Sequence, residues 1–251
     1  MTDRREKINS YIQSHGDVSL NELATKFSSV STMTIRRDLK FLESSGEIVR
    51  TKGGAKSISH LSMMKEDTYY AREGKNAELK MEIANKLAPL IEEGSSVYFD
   101  AGSTLIHLAG ALGDKRLFAV TNSPITATEL LRCPNISVSV TGGMLNRENI
   151  ALCGVGAADF LKRLNISTAI LVAAGYSDEY GFSCGNHDEA ELKRAVIVSS
   201  LRTIIVVDSS KVGKNLPFTF AVPGDADVIV TDSGIPRSIL TELQKDKAQI
   251  I

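Results

Sequence analysis

Cysteine is scarce in this chain: Cys133, Cys153 and Cys184 are the only three among 251 residues, at wide spacings, with no CxxC pair and no clustered histidines. An odd, scattered set fits a reducing cytoplasm and argues against a zinc site. Also missing is any run of about 18 apolar residues, and the N-terminus MTDRREKINSYIQSHG has no apolar signal-like core. These absences predict a soluble, cytoplasmic protein with no membrane partner. A strong net charge is lacking too, the formal value being -1. What is present, 43% hydrophobic and 24% charged residues, is the composition of a globular protein with a sizeable core. The length suits a small module joined to a larger one.

Divided at Lys56, the charges separate. Residues 1–56 hold ten Lys/Arg against seven Asp/Glu, and the remainder nineteen against twenty-three. A basic head on an acidic body is the distribution expected when only the head meets phosphates. Within the head, Ile8, Tyr11 and Ile12 fall at i, i+3 and i+4 and predict a short helix from Arg4 to Ser14, ended by Gly16. Ser19 and Glu22 have capping-box spacing and open a second helix with Leu20, Leu23, Ala24 and Phe27 inside, stopping near Ser28. Ser31 caps a third, STMTIRRDLKFLESSG, whose Ile35, Leu39 and Leu42 face the other two. Its opposite face carries Thr32, Thr34, Arg36, Arg37 and Lys40, hydroxyls and guanidinium groups suited to base edges and phosphates in a major groove. EIVRTKGGAK then reads as a hairpin, a wing bearing Arg50, Lys52 and Lys56. Taken singly, a basic helix face is more often merely solvated. The short inter-helix turn and the wing together tip the reading toward DNA.

The stretch SSVSTMTIRRDLKFLESSGEIVRTKGGA resembles the winged helix-turn-helix signature of the DeoR family of transcriptional regulators, most specifically in TIRRDL and the closing GGA. Lys52 stands just before the two glycines, where members commonly carry a histidine, and keeps a positive charge for phosphate.

Residues 57–75 show no clean period and read as a connector in which Tyr69 and Tyr70 pack. Beyond it, from residue 76 to 251, short apolar strands (SSVYFD, LFAVT, ISVSV, TAILVAAG, TIIVVD, DVIVTD) alternate with helix-period stretches. That calls for an α/β domain with a mostly parallel sheet covered on both faces, in which ligands bind beyond the carboxyl ends of the strands. Several turns there are polar or glycine-rich. Asp100, Gly102, Ser103 and Thr104 follow the first strand and open a helix, a plausible phosphate cradle. Thr121, Asn122 and Ser123 hold the same place after the next strand, Gly142 and Gly143 follow the third, and Lys211 in DSSK adds a cation. Each motif alone is more often a helix cap or a turn. On one edge of one sheet, jointly, they favour a site.

The family resemblance extends over this part. DAGST, TNS, the glycine pair and DSSK are similar to the family's own motifs, and AAGYSDEYGFSCGNHDEAELKR resembles its glycine-rich turn followed by an acidic residue, here Glu189, ahead of Lys193 and Arg194. It implies a Rossmann-like domain related to ribose-5-phosphate isomerase that senses a phosphorylated sugar, with Ser103, Thr104, Ser123 and Lys211 on the phosphate and Asp100 and Glu189 on sugar hydroxyls. It further implies a repressor of a carbohydrate-utilisation operon that binds duplex operator DNA as a homo-oligomer, dimer or tetramer, with no cofactor, metal or catalytic residue. The alternative is a sugar-phosphate isomerase using Asp100, Asp178 and Glu189 as acid-base groups, with His187 nearby. An RNA-binding or structural adaptor is a third, less suited to paired arginines on a helix.

Overall fold

The computed structural model describes residues 3–51, 53–57 and 66–251, in two compact units, Met1–Lys65 and Glu66–Ile251. In the first, α1 (Asp3–His15), β1 (Asp17–Ser19), α2 (Leu20–Lys26), α3 (Thr32–Ser44), β2 (Ile48–Arg50) and β3 (Gly54–Ser57) follow in order. Ile8, Ile12, Leu23, Ile35, Leu39 and Leu42, the apolar positions of the helical periods, are fully or almost fully buried in one core. Both expected caps form: Ser19 Oγ accepts from Glu22 N at 3.1 Å and Ser31 Oγ from Thr34 N at 3.3 Å. The Glu22 carboxylate, however, accepts from Tyr11 Oη at 3.1 Å, tying α2 to α1. The wing has a third strand that alternation over three residues is too short to announce, for β1 pairs antiparallel with β3. This pairing explains the second glycine of GGA: a Cβ on Gly54 would lie 2.0 Å from the Val18 carbonyl oxygen.

The second unit runs α4 (Tyr69–Glu73), α5 (Ala77–Leu87), β4 (Ser96–Phe99), α6 (Ser103–Ala111), β5 (Leu117–Thr121), α7 (Pro124–Leu130), β6 (Ile136–Val140), β7 (Met144–Asn146), β8 (Ala151–Cys153), α8 (Val155–Leu161), β9 (Ile166–Val172), β10 (Gly175–Ser177), β11 (Gly181–Cys184), α9 (His187–Ser199), β12 (Ser200–Val206), β13 (Phe218–Ala221), β14 (Val228–Val230), α10 (Arg237–Leu243) and β15 (Gln249–Ile250). Seven strands pair in the order β15-β14-β12-β9-β4-β5-β6, every pair parallel. Alternate residues of the central strands supply two cores. Tyr98, Ala169, Leu171 and Ile205 pack under α8, α9 and α10, while Val97, Phe99, Ile170 and Ile204 pack under α5, α6 and α7. Burial on both faces is why these strands read as unbroken apolar runs.

Chain order reverses between β4 and β9: the path leaves β4 toward β5 and β6, then returns to β9 and proceeds through β12 the other way. Such a reversal opens a crevice at the carboxyl ends of the two strands. A small antiparallel sheet, β10-β11-β13, and the β7-β8 hairpin are additions that short glycine-flanked segments do not reveal by periodicity. Residues 66–75, read as connector, belong to the larger unit; Tyr69 is buried and Tyr70 exposed. No helix among the described residues is long and apolar enough to cross a membrane.

Candidate functional site

On the head, α3 divides cleanly. Its inner side carries, besides three aliphatic residues, the buried Asp38. Asp38 accepts from Arg4 Nε at 2.7 Å and Arg5 Nε at 2.9 Å, clamping α1 to α3. Burial alone would raise this carboxyl, but the two arginines outweigh it and hold Asp38 below its ordinary value. The outer side exposes Thr32, Met33, Arg36, Arg37 and Lys40. Thr34 is half-buried, its hydroxyl 3.0 Å from Ser31 Oγ, so capping already engages it. Met33, Thr34, Arg36, Arg37, Lys40 and Arg50 line one surface depression; Arg36 and Arg50 also line a second with Thr51, Gly53 and Gly54. Helix and wing thus share one cationic surface. Arg50 is held by Glu43, Nε to Oε2 2.8 Å, with both side chains 40% exposed, a pair worth at most about 1 kcal/mol and readily exchanged for phosphate. Lys52 lies outside the described residues.

In the larger unit, a cavity of about 200 Å³ opens at the reversal point of the sheet. Ser103 and Thr104, the first residues of α6, line it, and Gly102 before them offers no capping side chain, which leaves first-turn amides for a ligand. Lys211 and Asp208 line the side beyond β12. The remaining wall was not legible as a site: Asp67, Arg72, Lys75, Asn76 and Lys80 come from the supposed connector and α5, and Lys214 from the loop beyond Lys211. Five cationic side chains therefore face two carboxylates. One carboxylate, on Asp67, is already paired with Lys75 at 3.1 Å; the other, on Asp208, accepts from Ser210 N at 3.0 Å. Burial pushes Lys211 down, against the opposing pull of Asp208, and likewise depresses Lys80, whose ammonium donates to the Arg72 and Glu73 carbonyls at 2.5 and 3.3 Å. Lys80 and Lys211, desolvated and mutually repelling, thus line the same cavity as the uncapped start of α6, a setting whose chemistry suits an anion.

Asp100 and Glu189 are not among the residues lining this cavity; they belong to a buried chain of charges behind it. Lys193, from α9, binds Asp100 Oδ2, sits 3.2 Å from Glu189 Oε1 and donates to the Val172 carbonyl at 3.1 Å. Glu189 accepts from Asn149 Nδ2 at 2.5 Å. Asn149 in turn accepts from Arg72 at 3.2 Å, and Arg72 pairs with Glu66 at 2.6 Å. Burial raises Asp100 although Lys193 opposes it. For Lys193, burial works against the charge but Asp100 and Glu189 outweigh it, so its pKa is raised. Arg72 belongs both to this chain and to the cavity wall. Ile150, next to Asn149, adopts φ 50°, a conformation that a β-branched residue holds only under surrounding constraint.

The other sequence-derived candidates make contacts within the scaffold. Thr121 Oγ1 accepts from Ser123 N at 3.0 Å, and Ser123 Oγ accepts from Thr126 N at 3.1 Å, capping α7. Asn122 exchanges bonds with the Leu152 backbone at 2.7 and 3.3 Å. Gly142 and Gly143 turn the chain at φ 70° and 105°, and a Cβ on Gly143 would meet the Cys153 carbonyl oxygen at 2.6 Å. Gly102 is packed on Val172, whose Cγ2 would lie 2.8 Å from an added Cβ, so its close approach is to β9. His187 is exposed at the start of α9. Among the described residues no group of three or more His, Cys, Asp or Glu is placed to hold a metal ion.

Two family models match the chain: the DeoR-like helix-turn-helix domain over residues 4–60 and the DeoR C terminal sensor domain over residues 75–233. Similar proteins include the HTH-type transcriptional regulator GlpR of Haloferax volcanii, 34% identical with 88% of this chain and 86% of that protein covered. The putative aga operon transcriptional repressor of Escherichia coli O157:H7 is 31% identical over 100% of this chain and 93% of its own. The transcriptional repressor AccR of Agrobacterium fabrum is 33% identical, with 99% and 96% covered. Among solved structures, ribose 5-phosphate isomerase A of Methanocaldococcus jannaschii superposes on 56% of each chain at a TM-score of 0.42 and 16% identity.

Proposed function

Because the chain belongs to the DeoR family of transcriptional regulators, we propose that it represses a carbohydrate-utilisation operon and that a phosphorylated sugar, bound in the cationic cavity, modulates its hold on the operator. The family match supports a DNA-binding regulator over a sugar-phosphate isomerase. The observation that carries the effector reading is the cavity itself, where Arg72, Lys75, Lys80, Lys211 and Lys214 surround the open end of α6. Ser103, Thr104 and Lys211 take the phosphate together with the α6 amides. Asp100, Glu189 and Lys193 hold the crevice wall from behind. Thr121, Asn122, Ser123, Gly142 and Gly143 stay candidates for ligand contact alongside their cap and turn bonds.

The head works by division of labour. Arg36 and Arg37 reach base edges, while Lys40, Arg50 and Lys52 take phosphates and Thr32 the groove wall. The protein acts in the cytoplasm as a homo-oligomer, whose paired heads match half-sites about one helical turn apart. Effector binding alters operator affinity only to the extent that the ligand prefers one arrangement of the heads.

A thermal-shift screen of phosphorylated sugars against their unphosphorylated parents tests the reading. A true effector at a hundred times its dissociation constant adds about 2.7 kcal/mol to stability, whereas the parent sugar adds little. Failure of every phosphorylated sugar to stabilise the protein, or operator affinity unmoved by those that do, would overturn it.

A further inference from the structure

On the outer face of α3, the face proposed to meet DNA, the exposed side chains are polar or cationic with one exception. Met33, the second residue of the helix, is 75% exposed, the highest value for a large apolar side chain among the described residues of the head. Single exposed hydrophobes need no explanation in general, but this one has a position. Arg36, Arg37 and Lys40 stand three, four and seven residues further on, so Met33 heads the same helical stripe, and it lines the same depression as these three, Thr34 and Arg50. The core beneath α3 is complete without it. The other exposed large apolar side chain of the helix, Phe41, is covered by the Arg5 guanidinium 4.1 Å above its ring.

A thioether cannot bind phosphate. In the major groove the apolar group that a base edge offers is the C5-methyl of thymine, and residues at the N-terminal end of a recognition helix are those that meet base edges. We propose that Met33 is a specificity-determining residue that packs against a thymine methyl group, beside the bases and phosphates taken by Arg36, Arg37 and Lys40. Its unbranched, polarizable chain adapts to the methyl without a fixed rotamer. The inference rests on the family assignment of DNA binding and adds the base that the apolar position selects.

The test begins with random-sequence duplexes enriched by the full-length chain. In the enriched sequence each thymine is then replaced singly by deoxyuridine, which removes only the methyl. Wild-type affinity falls about fourfold at one thymine per half-site, the worth of one buried methyl-sized group, and stays level at the others. Met33→Ala binds the thymine duplex more weakly and is indifferent to deoxyuridine at that position. Met33→Gln, of similar length and helix propensity, shifts the preferred base there from thymine toward adenine, which a carboxamide reads bidentately. Circular dichroism confirms that both variants remain folded. Wild-type indifference to deoxyuridine at every thymine, or Met33→Ala keeping the wild-type sensitivity, overturns the assignment of Met33. Enrichment of no sequence at all counts instead against operator recognition by the head.

Discussion

Lys193→Met removes one cation from a site where its side chain is 1% exposed and touches two carboxylates, those of Asp100 and Glu189, with side chains 0% and 7% exposed. Breaking a buried pair by deleting one partner costs about 3–5 kcal/mol, because the charge left behind has neither water nor counter-ion. For a domain of this size each kcal/mol moves the melting temperature by about 2–4 °C, so the larger unit should melt roughly 6–20 °C lower while the head's transition stays in place. The pH dependence is specific to the mechanism. A carboxyl whose folded pKa lies above its unfolded value of about 4 destabilises the fold as pH rises past 4. Removing Lys193 raises Asp100 further, so the deficit should grow from pH 5 to pH 8 and shrink again toward pH 4. In wild type, where the charged Lys193 opposes the rise of Asp100, the same trend should be present but weaker. Differential scanning calorimetry of the full chain reads both effects. Adding Asp100→Asn to Lys193→Met should recover part of the loss, the coupling expected of directly bonded groups. A melting temperature within 2 °C of wild type at pH 8, or a deficit flat with pH, would refute the account of a charge chain sustained by Lys193.

Further outcomes follow from the same geometry. Arg36→Ala or Arg37→Ala should each weaken operator binding by about 10- to 100-fold, the worth of one good base contact, with an unchanged circular dichroism spectrum because both residues are exposed; undiminished affinity in both would remove them from the interface. Lys211→Ala should lower affinity for a stabilising sugar phosphate at least tenfold in calorimetric titration and leave DNA binding without effector as it was. Asp38 is held low by Arg4 and Arg5, so its contribution to the head is complete above pH about 4 and lost as pH falls through the lower folded value. Asp38→Asn should accordingly destabilise the head at neutral pH and flatten its acid limb, as read by urea unfolding between pH 2 and 7.

Much of the fold was legible because its signals are local. Ile35, Leu39 and Leu42 mark one helix face by spacing alone, and strands such as TIIVV, buried on both sides, announce a parallel sheet. The wing's third strand was not, since β1 is three residues long and its partner Gly54 declares itself only when Val18 is brought against it. The candidate site was half legible. Ser103, Thr104 and Lys211 line the cavity where strand ends suggested, whereas the TNS and glycine-pair motifs, equally suggestive in sequence, are seen capping α7 and turning the chain between β6 and β7.

What the sequence determined unaided is the family, the alternation of strands and helices, and the polar face of α3, all properties of spacing within ten or twenty residues. Tertiary structure alone decided which charges meet. Arg72 and Lys80 share a cavity with Lys211, and Lys193 reaches Asp100 from 93 positions away, because the chain reverses its path across the sheet between β4 and β9. Electrostatic energy depends on distance and burial, and neither is a function of separation along the chain.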